Sequence, residues 1–160
     1  MHRLLLLDDE EIVLKGIRKV YDLQKYGFYV VGAFWNPLKA AEQLENLKPD
    51  LVITDVRMPQ MDGLEFASLV KKSYPETEVV ILSGYDDFSY AQAAVKLGVS
   101  DYLLKPIKKN DFVAMLERMS QKIREKQSKE DQQQQLQELL QISYTELKNR
   151  YFLALTQENK

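Results

Sequence analysis

The sequence contains no cysteine and only one histidine, His2, directly after the first methionine. Without cysteine, the chain can form neither disulfides nor thiolate metal sites, and this composition fits a reducing compartment. A single histidine at the start of the chain nearly excludes a metal site or a catalytic dyad built on histidine. Any chemistry of this chain therefore has to rest on other side chains.

Long apolar runs and an excess of charge are also missing. The four leucines at 4–7 are too few for a signal peptide or a membrane span, so we expect a cytoplasmic protein without membrane contact. The net charge of −2 supplies no basic field for a nucleic-acid backbone. DNA binding would therefore need a local patch or another part of a longer chain.

Short apolar runs alternate with longer segments of helical periodicity. The apolar runs lie at 4–7, 29–34, 51–54, 79–82 and 102–104. The helical segments lie near 10–25, 37–47, 63–73 and 87–97, with a longer one from about 108. This alternation is typical of βα units whose strands are buried on both faces. We predict an α/β fold: a doubly wound, five-stranded parallel sheet in the order 2-1-3-4-5 with a C-terminal helical extension.

The composition changes after Ile123. The next twelve residues, 124–135, contain no hydrophobic residue and include four consecutive glutamines. Beyond them, residues recur at spacings of four, three and four, as Leu136, Leu140, Ser143 and Leu147. We predict one domain over 1–123, followed over 124–160 by a helical linker that is able to form a coiled coil.

Carboxylates follow two strands that the predicted sheet makes neighbours. Asp8 and Asp9 follow the first strand, and Asp55 ends the third. Three converging carboxylates without histidine suit Mg²⁺, which prefers oxygen ligands. Asp8 and Asp9 are equally explained as acids at the start of a helix, and we interpret Glu10 and Glu11 in that way. The two aspartates alone leave both interpretations open.

The ends of the fourth and fifth strands favour the chemical interpretation. Ser83 brings a hydroxyl to the same edge of the sheet, and Lys105 brings an ammonium group. A nucleophilic carboxylate, a metal pair, a hydroxyl and a lysine are what acyl-phosphate chemistry requires. Three aspartates and one lysine sum to −2, which one Mg²⁺ cancels. Asp55 would attack phosphorus, while Lys105 and the metal neutralise the phosphoryl oxygens.

Four motifs together resemble the receiver domains of two-component response regulators. They are LLDDE at 6–10, TDVRMPQMDG at 54–63, LSGY at 82–85 and YLLKP at 102–106. The resemblance covers about residues 1 to 123, in order and with normal spacing. It implies a signalling receiver that accepts its phosphoryl group from a sensor histidine kinase and catalyses only its own phosphorylation and dephosphorylation.

The resemblance also implies a role for each matching residue. Asp55 corresponds to the phosphoacceptor and is a ligand of Mg²⁺. Asp9 corresponds to a direct ligand, Asp8 to one acting partly through water, and the backbone carbonyl of Arg57 to a further ligand. Large side chains at Arg57 and Tyr85 stand where the family varies and where the rate of acyl-phosphate hydrolysis is tuned.

Three further residues match the family's switch. Ser83 corresponds to the switch hydroxyl, Tyr102 to the switch aromatic and Lys105 to the lysine that pairs with the phosphate. The resemblance implies a cis peptide bond between Lys105 and Pro106. The alternative, without a switch role, is that Tyr102 is an aromatic residue of an edge strand that packs on the surface.

The stretch SGYDDFSYA at 83–91 resembles the subfamily that carries an AraC-type DNA-binding output domain. No helix-turn-helix pattern follows in this sequence, so we expect a receiver with the start of a connecting helix, whose output domain and DNA contact lie elsewhere. Asp86 and Asp87 are interpreted as helix N-caps.

Two other functions compete with this interpretation. An Mg²⁺-dependent phosphohydrolase also uses an aspartyl phosphate, but its nucleophile lies on the first strand in a D-x-D pattern, and here adjacent aspartates stand there. A stand-alone receiver that acts by protein contact would not explain the glutamine-rich tail. We therefore favour a transcriptional regulator's receiver.

The tail also predicts a homodimer. Leucines left in water forgo about 1.5–3 kcal/mol of burial each, and pairing would stabilise a helix that is marginal alone. We expect a weak, parallel dimer through the receiver face and the tail helix. A disordered linker and a tail that folds back on its own receiver are the alternatives.

Overall fold

The computed structural model describes residues 1–84 and 88–158. Within them, five strands alternate with five α-helices, and one 3₁₀ helix (Leu23–Tyr26) follows the first helix. The strands are β1 (His2–Leu7), β2 (Phe28–Phe34), β3 (Leu51–Asp55), β4 (Glu78–Ser83) and β5 (Asp101–Leu104). The helices are α1 (Glu11–Val20), α2 (Pro37–Leu47), α3 (Gly63–Ser73), α4 (Phe88–Leu97) and α5 (Lys109–Glu158).

The strands form one parallel sheet in the order β2-β1-β3-β4-β5, which confirms the predicted fold class. β1 and β3 are neighbours, with Leu7 opposite Thr54. The residues that follow in register, Asp8 and Asp55, are therefore neighbours at the carboxyl edge. In a doubly wound sheet this edge is where functional sites form.

Both faces of the sheet are buried, which explains the continuous apolar runs. Side chains alternate along β1, so Leu4 and Leu6 belong to one core cluster, and Leu5 and Leu7 belong to the other. The first cluster includes residues of α1 and α5, and the second includes residues of α2 and α3. Helices on both faces hold the strands, and therefore the strand ends, in a fixed arrangement.

The first helix is shorter than its predicted span of 10–25. α1 ends at Val20, and Tyr21 is extended, with φ −107° and ψ 133°. Asp22 then caps the 3₁₀ helix by accepting the N–H of Lys25 at 3.4 Å, and Gly27 ends it with φ 90°. The apolar period continues through this break because Leu23 of the 3₁₀ helix is buried in the first core cluster.

The chain divides into two compact units, Met1–Ile123 and Arg124–Lys160. The periodicity of α5 predicts that Phe112, Val113, Leu116, Met119 and Ile123 face the sheet. All are buried in the first cluster except Val113, which is only half-buried, and Met115 is buried in addition. Among the residues that the structure describes, no helix combines the length and apolarity needed to cross a bilayer.

Gly63 begins α3 at a close approach to the end of β3. A Cβ atom at this position would lie 2.0 Å from the backbone oxygen of Asp55, and the N–H of Gly63 donates to the carbonyl of Val56 at 2.6 Å. Neither neighbour is the flexible end of a side chain, so neither can yield easily. A glycine is therefore required here by the space available.

Gly63→Ala should lower the free energy of unfolding by more than about 2 kcal/mol, because the added methyl overlaps with backbone. The matched control is Gly16→Ala in the middle of α1, where a Cβ would meet nothing within 4 Å. This control should raise stability by about 0.5–1 kcal/mol through helix propensity. Urea unfolding followed by circular dichroism measures both, and equal effects of the two substitutions would contradict the packing argument.

Candidate functional site

Four strands place a polar side chain at the carboxyl edge of the sheet. Asp8 follows β1, Asp55 is the last residue of β3, Ser83 is the last residue of β4, and Lys105 follows β5. Asp8 is 2% exposed, Asp55 is 6% exposed and Ser83 is fully buried. The fold therefore brings the predicted residues to one edge, as the alternation of strands and helices requires.

Lys105 joins the two buried carboxylates. Its Nζ donates a hydrogen bond to Oδ2 of Asp8 at 2.8 Å and lies 3.5 Å from Oδ1 of Asp55. The backbone N–H of Lys105 donates to the carbonyl of Ser83 at 2.6 Å, and the peptide bond from Lys105 to Pro106 is cis. One ammonium group thus faces two carboxylates on neighbouring strands.

The two oxygens of Asp55 have different surroundings. Oδ1 accepts the backbone N–H of Val56 at 2.9 Å and is the oxygen that faces Lys105. Within residues 1–84 and 88–158, Oδ2 accepts no hydrogen bond. The orientation of the carboxylate is therefore set by the contacts of Oδ1.

A second group of carboxylates lies where β1 passes into α1. One oxygen from each of Asp8, Asp9 and Glu10 lies within 4.8 Å of the others, and Asp9 and Glu10 are exposed. Oδ1 of Asp8 also accepts the backbone N–H of Glu10 at 2.9 Å. This all-oxygen donor set suits a hard divalent cation such as Mg²⁺.

Arg57 is close to this group and also contacts α4. Asp9, Arg57 and Asp62 line the same open recess. Nε of Arg57 donates to the hydroxyl of Tyr90 at 3.3 Å, and its guanidinium carbon lies 5.5 Å from the centre of that ring. Asp62 caps α3 by accepting the N–H of Glu65 at 2.7 Å.

The predicted switch residues lie on adjacent strands. Ser83 is paired in register with Leu104, and Tyr102 is paired with Ile81. Tyr102 is half-buried and packs against the second core cluster, so it is more than a surface aromatic. Tyr85, Asp86 and Asp87 lie outside the described residues.

Burial disfavours the ionised form of the carboxylates of this site. The pKa of Asp55 is raised to about 6, first by burial and then by the negative charge of Asp8. Burial also raises the pKa of Asp8, although hydrogen bonds from Lys105 and from the N–H of Glu10 oppose it. The negative charge of the site therefore exceeds what the protein itself neutralises.

The pKa of Lys105 is set more by its carboxylate neighbours than by burial. Burial alone would lower the pKa of Lys105, but the hydrogen bond and charge of Asp8, followed by the charge of Asp55, outweigh burial and raise it. Lys105 therefore stays charged across the physiological range. It is a permanent cation at the strand ends.

Sequence reasoning missed two members of this neighbourhood. Glu10 was interpreted as a helix acid. It does occupy the N-cap of α1, but its carboxylate also joins the group formed by Asp8 and Asp9. The contact between Tyr90 and Arg57 leaves no recognisable pattern in the sequence, because 33 residues separate the two along the chain.

Comparison with known proteins identifies the family. Residues 4–117 match the response regulator receiver domain, and the chain belongs to this family. It is 39% identical over 117 residues to the uncharacterized transcriptional regulatory protein YesN of Bacillus subtilis (strain 168), and the match covers 73% of this chain and 32% of YesN. The chain spans about a third to a half of the length of the curated relatives it matches.

Solved structures agree with this assignment. The receiver domain of AraT, a response regulator from Geobacillus stearothermophilus, has a TM-score of 0.74 and 32% identity, covering 79% of this chain and 98% of that one. A two-component transcriptional regulator AraC from Clostridium phytofermentans ISDg has a TM-score of 0.71 and 28% identity, covering 81% and 99%. The predicted resemblance to receivers of AraC-type regulators is confirmed.

Asp55→Asn should stabilise the metal-free protein at neutral pH. A folded-state pKa above the unfolded value means that folding takes up a proton between about pH 4 and pH 6, so stability falls as the pH rises through that window. Asparagine at this position carries no charge, so the folded protein no longer has to ionise a buried carboxylate. We expect a gain of about 1–2 kcal/mol in EDTA at pH 7.5, after allowing for solvent screening, and almost none at pH 4.

Chemical denaturation in EDTA at several pH values measures this difference. Asp22→Asn is the matched control, because Asp22 is exposed and its capping bond can be kept by an asparagine oxygen. The control should change stability by less than about 0.5 kcal/mol at every pH. A gain for Asp55→Asn that does not shrink towards pH 4 would contradict the electrostatic explanation.

Proposed function

We propose that this chain is the phosphoacceptor receiver of a two-component response regulator and that Asp55 takes a phosphoryl group from a sensor histidine kinase. The observation that carries the proposal is the contact of Lys105 with two buried carboxylates, at 2.8 Å from Asp8 and 3.5 Å from Asp55. A cation fixed beside a buried carboxylate is suited to neutralising charge that arrives with a phosphoryl group. The only histidine among these 160 residues is His2, so the donor histidine would lie outside them.

The geometry supports a direct displacement at phosphorus. Oδ2 of Asp55 forms the new bond to phosphorus while the bond from phosphorus to the donor's imidazole nitrogen breaks, and the electron pair stays with that nitrogen. The N–H of Val56 holds Oδ1 and so orients Oδ2. Lys105, which pairs with the carboxylates of Asp8 and Asp55, would then pair with an equatorial phosphoryl oxygen, and Ser83 would donate its hydroxyl to another.

The donor set fits Mg²⁺. Asp8, Asp9, Asp55 and the backbone carbonyl of Arg57 would hold it, and Asp9 and Arg57 line the same recess. When bound, Mg²⁺ supplies the positive charge that the carboxylates and the phosphoryl oxygens need in order to approach each other. Burial raises the pKa of both Asp8 and Asp55, and the charge of Asp8 raises that of Asp55 further, so a bound cation would favour the ionised carboxylates.

Hydrolysis of a separate phosphorylated substrate is an alternative function with less support than the receiver function. A phosphohydrolase needs a pocket that encloses an organic substrate, and in the described ranges each strand connects to the next without an inserted domain. We propose that the chain catalyses only its own phosphorylation and dephosphorylation. A stand-alone receiver is also disfavoured, because the curated relatives that match are two to three times longer than the matched region.

Phosphorylation would control an output outside this chain. YesN is named an uncharacterized transcriptional regulatory protein, and we propose a DNA-binding output in the cytoplasm, reached through a linker over residues 124–160. The receiver, residues 1–123, would pair with a second receiver through the face formed by α4, β5 and α5. The tail helix would take part in the same homodimer. No DNA contact is assigned to this chain.

The proposed switch uses Ser83 and Tyr102. Ser83 is drawn towards the phosphoryl oxygen, which frees space for Tyr102 to turn further inward. Tyr102 is half-buried against the second core cluster, and we propose that its ring exchanges between two packings there. A shift occurs only if the phosphoryl group interacts differently with the two states.

Incubation with acetyl phosphate and Mg²⁺ should add one phosphoryl group to the full chain, as measured by intact mass. Asp55→Asn should abolish the addition because the attacking oxygen is lost. EDTA should prevent it, and Asp22→Asn should leave it unchanged. Full labelling of Asp55→Asn, or of wild type in EDTA, would overturn the assignment.

Beryllofluoride should shift the NMR signals of Ser83 and Tyr102 together with those next to Asp55. In Ser83→Ala the ligand should still bind but should no longer move Tyr102, because the hydroxyl that couples them is missing. Ser73→Ala, an exposed serine at the end of α3, is the control and should respond as wild type does. An unmoved Tyr102 in beryllofluoride-bound wild type would contradict the coupling.

A further inference from the structure

The side chain of Arg57, two residues after Asp55, reaches across to α4. Its Nε donates to the hydroxyl of Tyr90 at 3.3 Å, and its guanidinium carbon lies 5.5 Å from the centre of the tyrosine ring. Tyr90 lies in the first turn of α4 (Phe88–Leu97) and packs against the second core cluster. Because the core holds this half-buried tyrosine, it offers the exposed guanidinium group a fixed place on α4.

The same arginine also stands beside carboxylates. Asp9, Arg57 and Asp62 line one open recess. Asp9 and the backbone carbonyl of Arg57 both belong to the donor set proposed for Mg²⁺. A guanidinium group pairs readily with carboxylates, through charge-assisted hydrogen bonds. The carboxylates of the recess are therefore a second place for the Arg57 side chain, and there its charge would compete with the metal ion.

We propose that Tyr90 is a positioning residue for the metal site: it holds the guanidinium group of Arg57 on α4, so that Mg²⁺ does not compete with it for the carboxylates. The inference rests on the proposed Mg²⁺ site. Like charges repel, so a metal ion in the recess also drives the guanidinium group towards Tyr90. The coupling is reciprocal: the factor by which the contact strengthens Mg²⁺ binding equals the factor by which Mg²⁺ strengthens the contact.

The strength of the contact sets the size of the effect. At an exposed site, a cation–π contact changes an equilibrium constant by a factor of about two to five. The hydrogen bond to the hydroxyl adds to this, although its 3.3 Å is longer than usual. Losing the whole contact should therefore weaken Mg²⁺ binding about three- to tenfold, which is less than the effect of losing a carboxylate ligand.

Calorimetric titration of the full chain with Mg²⁺ tests the inference. Tyr90→Leu removes the ring and the hydroxyl but keeps an apolar side chain against the core, and it should weaken binding about three- to tenfold. Tyr90→Phe removes only the hydroxyl and should weaken binding less. The matched control is Tyr29→Leu, because Tyr29 is also half-buried and makes the same kind of contact with Arg3, at 3.1 Å to the hydroxyl and 5.9 Å to the ring centre. That pair lies near the start of β1 and β2, far from the carboxyl edge, and the control should bind Mg²⁺ as wild type does.

A double-mutant cycle with Arg57 separates positioning from a purely structural role of Tyr90. Arg57→Met keeps the backbone carbonyl and removes the competing charge, so it should bind Mg²⁺ more tightly than wild type. In this background Tyr90→Leu should have almost no effect on binding, because the guanidinium group that Tyr90 holds is missing. The reciprocal effect is read by NMR: Mg²⁺ should shift the ring signals of Tyr90 in wild type and far less in Arg57→Met.

Three results would overturn the inference. They are a Tyr90→Leu variant that binds Mg²⁺ as tightly as wild type, equal weakening by Tyr90→Leu with and without Arg57, and no detectable binding of Mg²⁺ by wild type. Intact mass after acetyl phosphate, measured on wild type from the same preparation, reports on Asp55 separately. Phosphorylated wild type without an effect of Tyr90→Leu would reject the positioning role alone. The predicted cycle of Mg²⁺ affinities without phosphorylation would reject the proposed function alone.

Discussion

The ammonium group of Lys105 faces two buried carboxylates, 2.8 Å from Asp8 and 3.5 Å from Asp55, and the site depends on this imbalance of charge. One positive charge holds two negative charges of neighbouring strands in place but cannot neutralise both. Burial first, and then the negative charge of Asp8, raises the pKa of Asp55 to about 6. Breaking such a buried arrangement by removing the cation typically costs about 3–5 kcal/mol, so we expect Lys105 to stabilise the fold as well as the proposed phosphoryl group.

The fold makes this arrangement possible by fixing the strand ends from both faces. β1 contributes alternate leucines to two core clusters, so neither face of the sheet can slip without exposing a core. Gly63 lets α3 start against the backbone of Asp55, which fixes the loop after β3. The recess shared by Asp9 and Arg57 lies beside that loop. Core packing thus determines where the carboxylates meet.

Much of the fold and of the candidate site was predictable from the sequence, and the predictions that were wrong or missing have physical causes. Alternating apolar runs predicted the sheet order and the spans of α2 and α3. The predicted end of α1 was wrong because apolar periodicity does not register the extended Tyr21 between two helical segments. Contacts between distant segments, such as Arg57 with Tyr90, leave no local pattern. The roles of Asp55, Ser83 and Tyr102 stay predictions, since geometry alone does not show phosphorylation.

The central claim is that the unbalanced carboxylates require a divalent cation, and calorimetric titration with Mg²⁺ tests it most directly. Wild type should bind one Mg²⁺ per chain. Asp8→Asn and Asp55→Asn should each weaken binding at least tenfold, because each removes a charge that the cation balances, while Asp22→Asn should bind as wild type does. Equal Mg²⁺ affinity in all four proteins, or no detectable binding by wild type, would contradict the account.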